Sequence, residues 1–299
     1  MSLSRQAFVL ACGLVLAACA DGVAAPPPSS PVAQDTDGRP REGTVPSADG
    51  VPIHFTSVGA GDSAVVLVHC WSCSTRYWDH EVKALSPRWR VVAIDLGGHG
   101  ASGKGRKSWT IASFGEDVRA VVSALGLKRV VLVGHSMGGP VTLEAAKLMP
   151  DKVVGLVPVD TLHDVEKGMA EPAKQQLFAR MRQDFKGTTE ELVRHLFVPT
   201  SDRAIVDRVV ADMTAADPEV AIPAFESLFQ YAEGPALEKI KVPIRAINTD
   251  VVATNLEANR RHAPQFDVVV MKGVGHWLML EKPDEFDQKL IEIVGGMHL

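Results

Sequence analysis

One stretch decides the fold of this chain: Val130-Val131-Leu132-Val133-Gly134-His135-Ser136-Met137-Gly138-Gly139. Its β-branched apolar run predicts a buried strand, and the Ala-rich segment after Pro140 predicts a helix. Between them lies Gly-x-Ser-x-Gly, the pattern of a serine on a sharp strand-to-helix turn. Gly134 and Gly138 flank the serine because a Cβ at either position would collide with the neighbouring turn. We therefore expect a strained backbone at Ser136, with Oγ exposed over the sheet and the free N–H groups of the helix start directed at whatever Oγ attacks.

A second motif lies near the C-terminus, where Gly273-Val274-Gly275-His276-Trp277 is followed by Glu281-Lys282-Pro283. This motif resembles the catalytic-histidine loop of the α/β-hydrolase-fold serine hydrolases, and the turn around Ser136 resembles the nucleophile turn of the same family. The resemblance runs from about Val51 to the C-terminus. It implies an α/β fold with a mostly parallel central sheet, helices on both faces and an inserted all-helical cap.

The chemistry of such a site depends on three side chains. A serine hydroxyl is a poor nucleophile and needs a base, and the resemblance implies that His276 is that base for Ser136. The base needs a carboxylate that fixes its tautomer. Asp250 satisfies the family's chain order and follows the predicted strand 242–247, although asparagine and threonine stand where the family has Gly-x-x before the acid. Asp160 is the alternative acid and lies at the end of the strand that follows the helix after Ser136. Asp267, inside a strand, is a third candidate.

The sequence His69-Cys70-Trp71 stands where the family usually has His-Gly and an aromatic residue. The resemblance implies that the backbone N–H groups of Trp71 and Met137 form the oxyanion hole. Cysteine at position 70 departs from the pattern, because glycine adopts conformations that cysteine resists. We expect His69 to brace the loop by hydrogen bonds. Cys70 and Cys73 are spaced C-x-x-C, which is compatible with a local disulfide or with two buried thiols.

The N-terminus has the features of a targeting signal. Arg5 precedes an apolar run from Ala7 to Leu16, ten residues that are too few to span a bilayer. Leu16-Ala17-Ala18-Cys19 then resembles a bacterial lipobox, which implies a signal peptide over residues 1–18, lipidation of Cys19 and an exported, membrane-anchored lipoprotein of the bacterial cell envelope. An ordinary secretory signal cut near Ala20 or Ala25 is the alternative.

The remaining chain divides by composition. Residues 19–47 are rich in Pro, Ala and Asp and predict a disordered tether. Strands and helices alternate over 48–160 and 238–299, which predicts the hydrolase core, and 161–237 contains only helical patterns, which predicts the cap. With 299 residues, of which 46% are hydrophobic, the chain can bury a large core.

Charge and motifs narrow the function. The formal net charge is −5, and no basic stripe suggests nucleic-acid binding. The resemblance implies no metal and no organic cofactor, and a serine at position 136 argues against the carboxylate nucleophile of dehalogenases and epoxide hydrolases. The predicted function is hydrolysis of small apolar carboxylic esters or lactones through an acyl-enzyme. A C–C bond or amide hydrolase with the same triad, or a weakly catalytic protein that binds a small ligand, are the alternatives. The sequence does not predict the oligomeric state.

Overall fold

The computed structural model describes residues 40–299, so the predicted signal peptide, Cys19 and most of the predicted tether lie outside the described residues. Eight strands form the central sheet: β1 Arg41–Pro46, β2 Pro52–Val58, β3 Ser63–Val68, β4 Arg90–Ile94, β5 Arg129–His135, β6 Val153–Val159, β7 Ile244–Thr249 and β8 Phe266–Met271. Their order in the sheet is β1-β2-β4-β3-β5-β6-β7-β8. The pairs β1–β2 and β2–β4 are antiparallel and the remaining pairs are parallel. The predicted α/β-hydrolase fold with a mostly parallel sheet is confirmed.

Helices cover both faces of this sheet. Outside the cap they are α1 Asp79–Leu85, α2 Ile111–Ala124, α3 Gly138–Leu148, α9 Leu256–His262, α10 Leu278–Glu281 and α11 Pro283–Gly295, with a 3₁₀ turn at Thr75–Trp78. Strands β3 to β6 are almost completely buried and read as continuous apolar runs, as parallel strands covered on both faces do. This rigid sheet presents the carboxyl ends of β3, β5 and β6 side by side.

The cap is helical and is inserted between β6 and β7. It consists of α4 Glu171–Gln183, α5 Phe185–His195, α6 Arg203–Thr214, α7 Pro218–Gln230 and α8 Glu233–Leu237. Aspartates begin three of these helices: the side chains of Asp184, Asp202 and Asp217 accept hydrogen bonds from N–H groups of the first turn. These helices lie within the range 161–237 that the sequence assigned to the cap.

The predicted tether is too long at its C-terminal end, because Arg41–Pro46 form β1 instead of disordered chain. The strand pairs with β2 as an edge hairpin, and Val45 is its one buried residue. A Cβ at Gly43 would lie 2.9 Å from the ring of Phe55, so the strand also needs glycine for close packing. A strand of six residues with a single buried side chain lacks the apolar pattern from which strands are recognised.

Within residues 40–299, none of the helices combines the length and the apolar character that crossing a membrane requires.

Candidate active site

Ser136 occupies a strained turn between β5 and α3, as predicted. Its φ is +53°, in the left-handed region, and its amide donates to Val159 O at 2.9 Å. A Cβ at Gly134 would lie 2.2 Å from the carbonyl oxygen of Gly138, and a Cβ at Gly138 would lie 2.5 Å from Val68 O. Glycine is therefore required on both sides of the serine, because a methyl group would push the turn off the ends of β3 and β5.

His276 and Asp160 form a short, buried hydrogen bond. The Nδ1–H group of His276 donates to Asp160 Oδ2 at 2.6 Å, and Asp160 is 7% exposed. Burial acts to raise the pKa of Asp160, but the hydrogen bond and charge of His276, the charge of His163 and the amide of Thr249 outweigh it and hold the pKa at about 2. Asp160 is thus ionised at neutral pH and keeps the proton of His276 on Nδ1, which leaves Nε2 free to accept a proton.

The acid preferred from the sequence, Asp250, is not the acid that contacts His276. Asp250 is exposed beyond the end of β7, where its carboxylate accepts from the amide of Gly273 at 3.1 Å. Asp267, the third candidate, forms ion pairs with Arg245 and Arg260 on the surface. The strand order explains why Asp160 lies closer to the serine turn than Asp250 does. Strand β6 lies next to β5, whereas β7 is one strand farther away, and neighbouring strands are ~4.8 Å apart.

Three contacts hold the histidine loop beside the serine turn. The amide of His276 donates to Leu196 O at 2.9 Å, which joins the loop to the cap. Nε2–H of His135 donates to His276 O at 2.8 Å, and burial lowers the pKa of His135 to about 3, so that its ring is neutral. The amide of Gly275 donates to Glu281 at 2.8 Å. The rings of His135 and His276 lie 4.7 Å apart, centroid to centroid, so the imidazole of His276 is next to the residue that precedes Ser136.

The two predicted oxyanion donors lie on neighbouring strand ends, after β3 and after β5. Neither the Trp71 nor the Met137 amide donates to another group of residues 40–299, so both are available to a substrate oxygen. His69 braces the loop as predicted: its Nδ1–H donates to Cys70 O at 2.7 Å, and its Nε2 accepts from the Leu96 amide at 3.0 Å. Burial lowers the pKa of His69, which keeps the ring neutral for both roles.

Of the two states that the sequence left open for Cys70 and Cys73, the structure has the disulfide. Their Cα atoms are 5.3 Å apart, and the Cys73 amide donates to Cys70 O at 3.2 Å. The disulfide closes a tight turn around Trp71 and Ser72, and Ser72 has a φ of +56°. The disulfide thus restrains a loop in which cysteine stands for the family's glycine.

Two residues that sequence reasoning missed support the acid. His163 Nε2 lies 3.5 Å from Asp160 Oδ1, so a second imidazole faces the carboxylate. The side chain of Asn248 accepts from the Thr161 amide at 3.2 Å and donates to Thr161 O at 3.1 Å. The end of β7 therefore clamps the segment that carries the acid and does not supply the acid itself. The sequence carried one weak signal of this, since Asn248 and Thr249 replace the residues expected before a catalytic aspartate at position 250.

An aromatic cluster adjoins the oxyanion loop. It consists of one residue of that loop and four residues of the cap: Trp71, Phe178, Phe185, Phe225 and Phe229. The rings of Trp71 and Phe225 are 4.5 Å apart, and the indole N–H of Trp71 donates to Ala221 O at 2.7 Å. The residue that carries an oxyanion amide is thus packed and hydrogen bonded against α7 of the cap.

Sequence comparison assigns the chain to a family that agrees with this fold. Residues 65–289 match the profile of the alpha/beta hydrolase family, and the chain belongs to that family. An uncharacterized protein of Mycobacterium tuberculosis is 35% identical over 103 residues, which cover 34% of this chain and 30% of the relative. The chain thus spans less than a third of that relative's length. A pimeloyl-(acyl-carrier protein) methyl ester esterase of Yersinia pseudotuberculosis is 25% identical over 252 residues, with 80% of this chain and 96% of the relative covered.

Among solved structures, a thermophilic esterase from Thermogutta terrifontis superposes with a TM-score of 0.75. The superposition covers 87% of this chain and 100% of the esterase at 22% identity. At that identity the likeness establishes the fold alone.

Proposed function

We propose that this chain hydrolyses small carboxylic esters or lactones through an acyl-enzyme on Ser136. The proposal rests on one observation above all: an ionised, buried Asp160 holds the proton of His276 on Nδ1 at 2.6 Å, beside a serine in a left-handed turn. A surface serine in an ordinary loop needs none of this arrangement. The esterase name of the Yersinia relative supports the same class of substrate.

In the proposed mechanism, Oγ of Ser136 attacks the carbonyl carbon of the ester while Nε2 of His276 accepts the hydroxyl proton. The carbonyl oxygen becomes an oxyanion, and the amides of Trp71 and Met137 donate to it, each contributing ~3 kcal/mol to the barrier reduction. His276 then returns its proton to the leaving alkoxide as the C–O bond breaks. Water attacks the acyl-enzyme by the same route, gives its proton to His276 and releases the acid and free Ser136.

Asp160 contributes to both halves of this cycle. Its carboxylate fixes the tautomer in which Nε2 accepts, and it stabilises the imidazolium that forms after each proton transfer. The carboxylate itself stays ionised, since its pKa of about 2 lies far below neutral pH. The amide of Thr249 and the ring of His163 face the other carboxylate oxygen, at 3.0 and 3.5 Å, so that Oδ2 is left to His276.

The cap supports the choice of an apolar acyl or alkyl group. The aromatic cluster places three phenylalanines of the cap, each less than a tenth exposed, close to the loop that carries the Trp71 amide. A lactone is a cyclic ester and meets the same nucleophile and the same oxyanion donors, so both substrates follow from one geometry.

Turnover of p-nitrophenyl acetate, butyrate and octanoate, and of an aliphatic lactone followed by pH-stat, tests the proposal. We expect activity in the wild-type protein and a loss of at least ~10³-fold in Ser136→Ala. Ser123→Ala is the matched control, because Ser123 is exposed on α2, outside both the serine turn and the histidine loop, and this variant should retain its activity. Turnover that survives Ser136→Ala would reject the acyl-enzyme. Ligand-induced increases in Tm without turnover would instead support the ligand-binding alternative.

We also propose that the protein is exported and anchored as a lipoprotein through Cys19. The lipobox-like sequence before Cys19 and the Pro-rich segment after it support this location. The Cys70–Cys73 disulfide is consistent with it, because disulfides persist in oxidising compartments.

A further inference from the structure

A second cluster of chemically active side chains lies on the helices away from the catalytic triad. His80 and Glu81 are on α1, and Asp287 is on α11, which packs against α1. One ligand atom from each of the three lies within 4.8 Å of the other two. His80 Nδ1 is 2.7 Å from Asp287 Oδ2, and the exposed carboxylate of Asp284 approaches His80 Nε2 at 3.9 Å.

The buried member of the cluster is the informative one. Glu81 is 0% exposed, and neither of its carboxylate oxygens has a hydrogen-bond partner among residues 40–299. Oδ1 of Asp287, a residue that is 6% exposed, has no partner either. Burial raises the pKa of both carboxyl groups, and ionised carboxylates at these positions are costly to the fold unless a positive charge satisfies them.

We propose that His80, Glu81 and Asp287 form a binding site for a divalent transition-metal ion, with Zn²⁺ as the best-suited ion. One imidazole and two carboxylates form a ligand set that Zn²⁺ accepts, whereas Mg²⁺ and Ca²⁺ prefer oxygen ligands alone. The imidazole of His80, half exposed in its side chain, gives the ion a path from solvent to the buried Glu81. Water completes the coordination on the exposed side.

The three ligand atoms must shift slightly when the ion binds. Ligands of a tetrahedral Zn²⁺ with bonds of ~2.1 Å are ~3.4 Å apart. His80 Nδ1 and Asp287 Oδ2, 2.7 Å apart, must therefore separate slightly to admit the ion, and the other ligand spacings, all within 4.8 Å, adjust to the same value. When Nδ1 of His80 binds the ion, the neutral ring carries its proton on Nε2 instead. Protons compete with the ion for the ligands, so binding weakens as the pH falls.

The ion would crosslink two segments that each adjoin a catalytic loop. Helix α1 follows the oxyanion loop with its Trp71 amide, and α11 follows the loop with His276. The ion itself lies on the helices, so its direct effect is on the stability of this packing rather than on the reaction at Ser136. The site stands independently of the proposed esterase activity.

Zn²⁺ titration of the EDTA-treated full chain by calorimetry, with Tm measured in parallel, tests the proposal. We expect binding of one ion and an increase in Tm of ~5 to 10 °C at a 100-fold excess over Kd. Glu81→Gln should weaken binding by ~100-fold or more and abolish the increase in Tm. The metal-free Glu81→Gln variant should be at least as stable as the metal-free wild type, because glutamine has the same shape and never carries a charge into this buried position. A destabilised metal-free variant together with unchanged Zn²⁺ affinity would give Glu81 a structural role only and overturn the proposal.

His262→Ala is the matched control. His262 also lies between two carboxylates, those of Glu166 and Glu238, but both carboxylates are exposed and Glu166 is already paired with Arg261. Its loss should leave the Zn²⁺ affinity unchanged. Because His163 and His276 face Asp160, anomalous diffraction at the zinc edge must locate the ion. Density among His80, Glu81 and Asp287 supports the site, whereas density only at the triad, or no binding at all, refutes it.

Discussion

Replacement of Asp160 by asparagine is the sharpest test of the candidate site, because the sequence pattern alone favours Asp250. In the wild type, the amide of Thr249 donates to Asp160 Oδ1 at 3.0 Å, while Oδ2 accepts from His276. In Asp160→Asn, the Thr249 amide will hold the carboxamide oxygen in the Oδ1 position. The NH₂ group then faces Nδ1 of His276, which must lose its proton to accept from it. The proton moves to Nε2, the nitrogen that has to accept from Ser136.

The magnitude follows from this wrong tautomer. Serine hydrolases in which the acid becomes an amide lose ~10⁴-fold in kcat, or ~5 kcal/mol of transition-state stabilisation. We expect a loss of ~10³- to 10⁴-fold in Asp160→Asn, with little change in KM because the carboxylate does not touch substrate. Asp250→Asn is the matched control: an amide oxygen can still accept from Gly273 on the exposed surface, so the change in kcat should stay within about twofold.

The assay is kcat and KM for p-nitrophenyl butyrate at pH 8, with Tm as the check that both variants are folded. A loss of ~10³-fold in Asp250→Asn, with Asp160→Asn within tenfold of the wild type, would refute the assignment of the acid. Comparable large losses in both folded variants would mean that β7 also contributes to the relay.

Four further outcomes are expected. Between about pH 4 and pH 2, the free energy of unfolding should fall by ~2 kcal/mol more in the wild type than in Asp160→Asn. The depressed pKa of Asp160 stabilises the fold fully above the pKa of the unfolded chain, and this stabilisation is lost as the pH falls through the folded pKa. Urea titrations at each pH measure the difference. Gly138→Ala should lower Tm and kcat together, since the new Cβ would meet the last carbonyl oxygen of β3 at 2.5 Å. Replacing both Cys70 and Cys73 by alanine should cost ~2 kcal/mol of stability and lower kcat more than it raises KM, because the turn carries an oxyanion amide; equal kcat values would show that the crosslink does not position that amide. Cys19→Ser should move the protein from the membrane fraction to the soluble fraction, and persistent membrane attachment would reject the lipid anchor.

Local patterns were sufficient to predict the serine turn and to select His276 as the candidate base, because both signals are local. The turn around Ser136 needs glycines within two residues on either side, and the contacts of Gly134 and Gly138 explain why the pattern is so strict. The histidine loop is equally compact: Gly275, His276 and Glu281 lie within seven residues and contact one another or the same loop. Residues close in sequence carried the whole signal.

The acid could not be chosen in this way. Asp160 and Asp250 each follow an apolar strand, and both fit a carboxylate at a strand end. The information that separates them is the strand order, which depends on long-range pairing of β5 with β6. The same limitation hid the cluster of Glu81 and Asp287, which lie far apart in the chain and meet only when α11 packs against α1.

The cap acts differently on the two residues that activate the serine. It begins directly after Asp160, but Asn248 and Asn259 hold the backbone of the next two residues to the core, with bonds of 3.1 Å and 2.6 Å to their carbonyl oxygens. Displacement of the cap therefore leaves the carboxylate in place. His276 is held from both sides, because its amide donates to Leu196 O of the cap at 2.9 Å and its carbonyl oxygen accepts from His135 of β5 at 2.8 Å. In the proposed triad, the base is therefore the residue whose backbone joins the cap to the core.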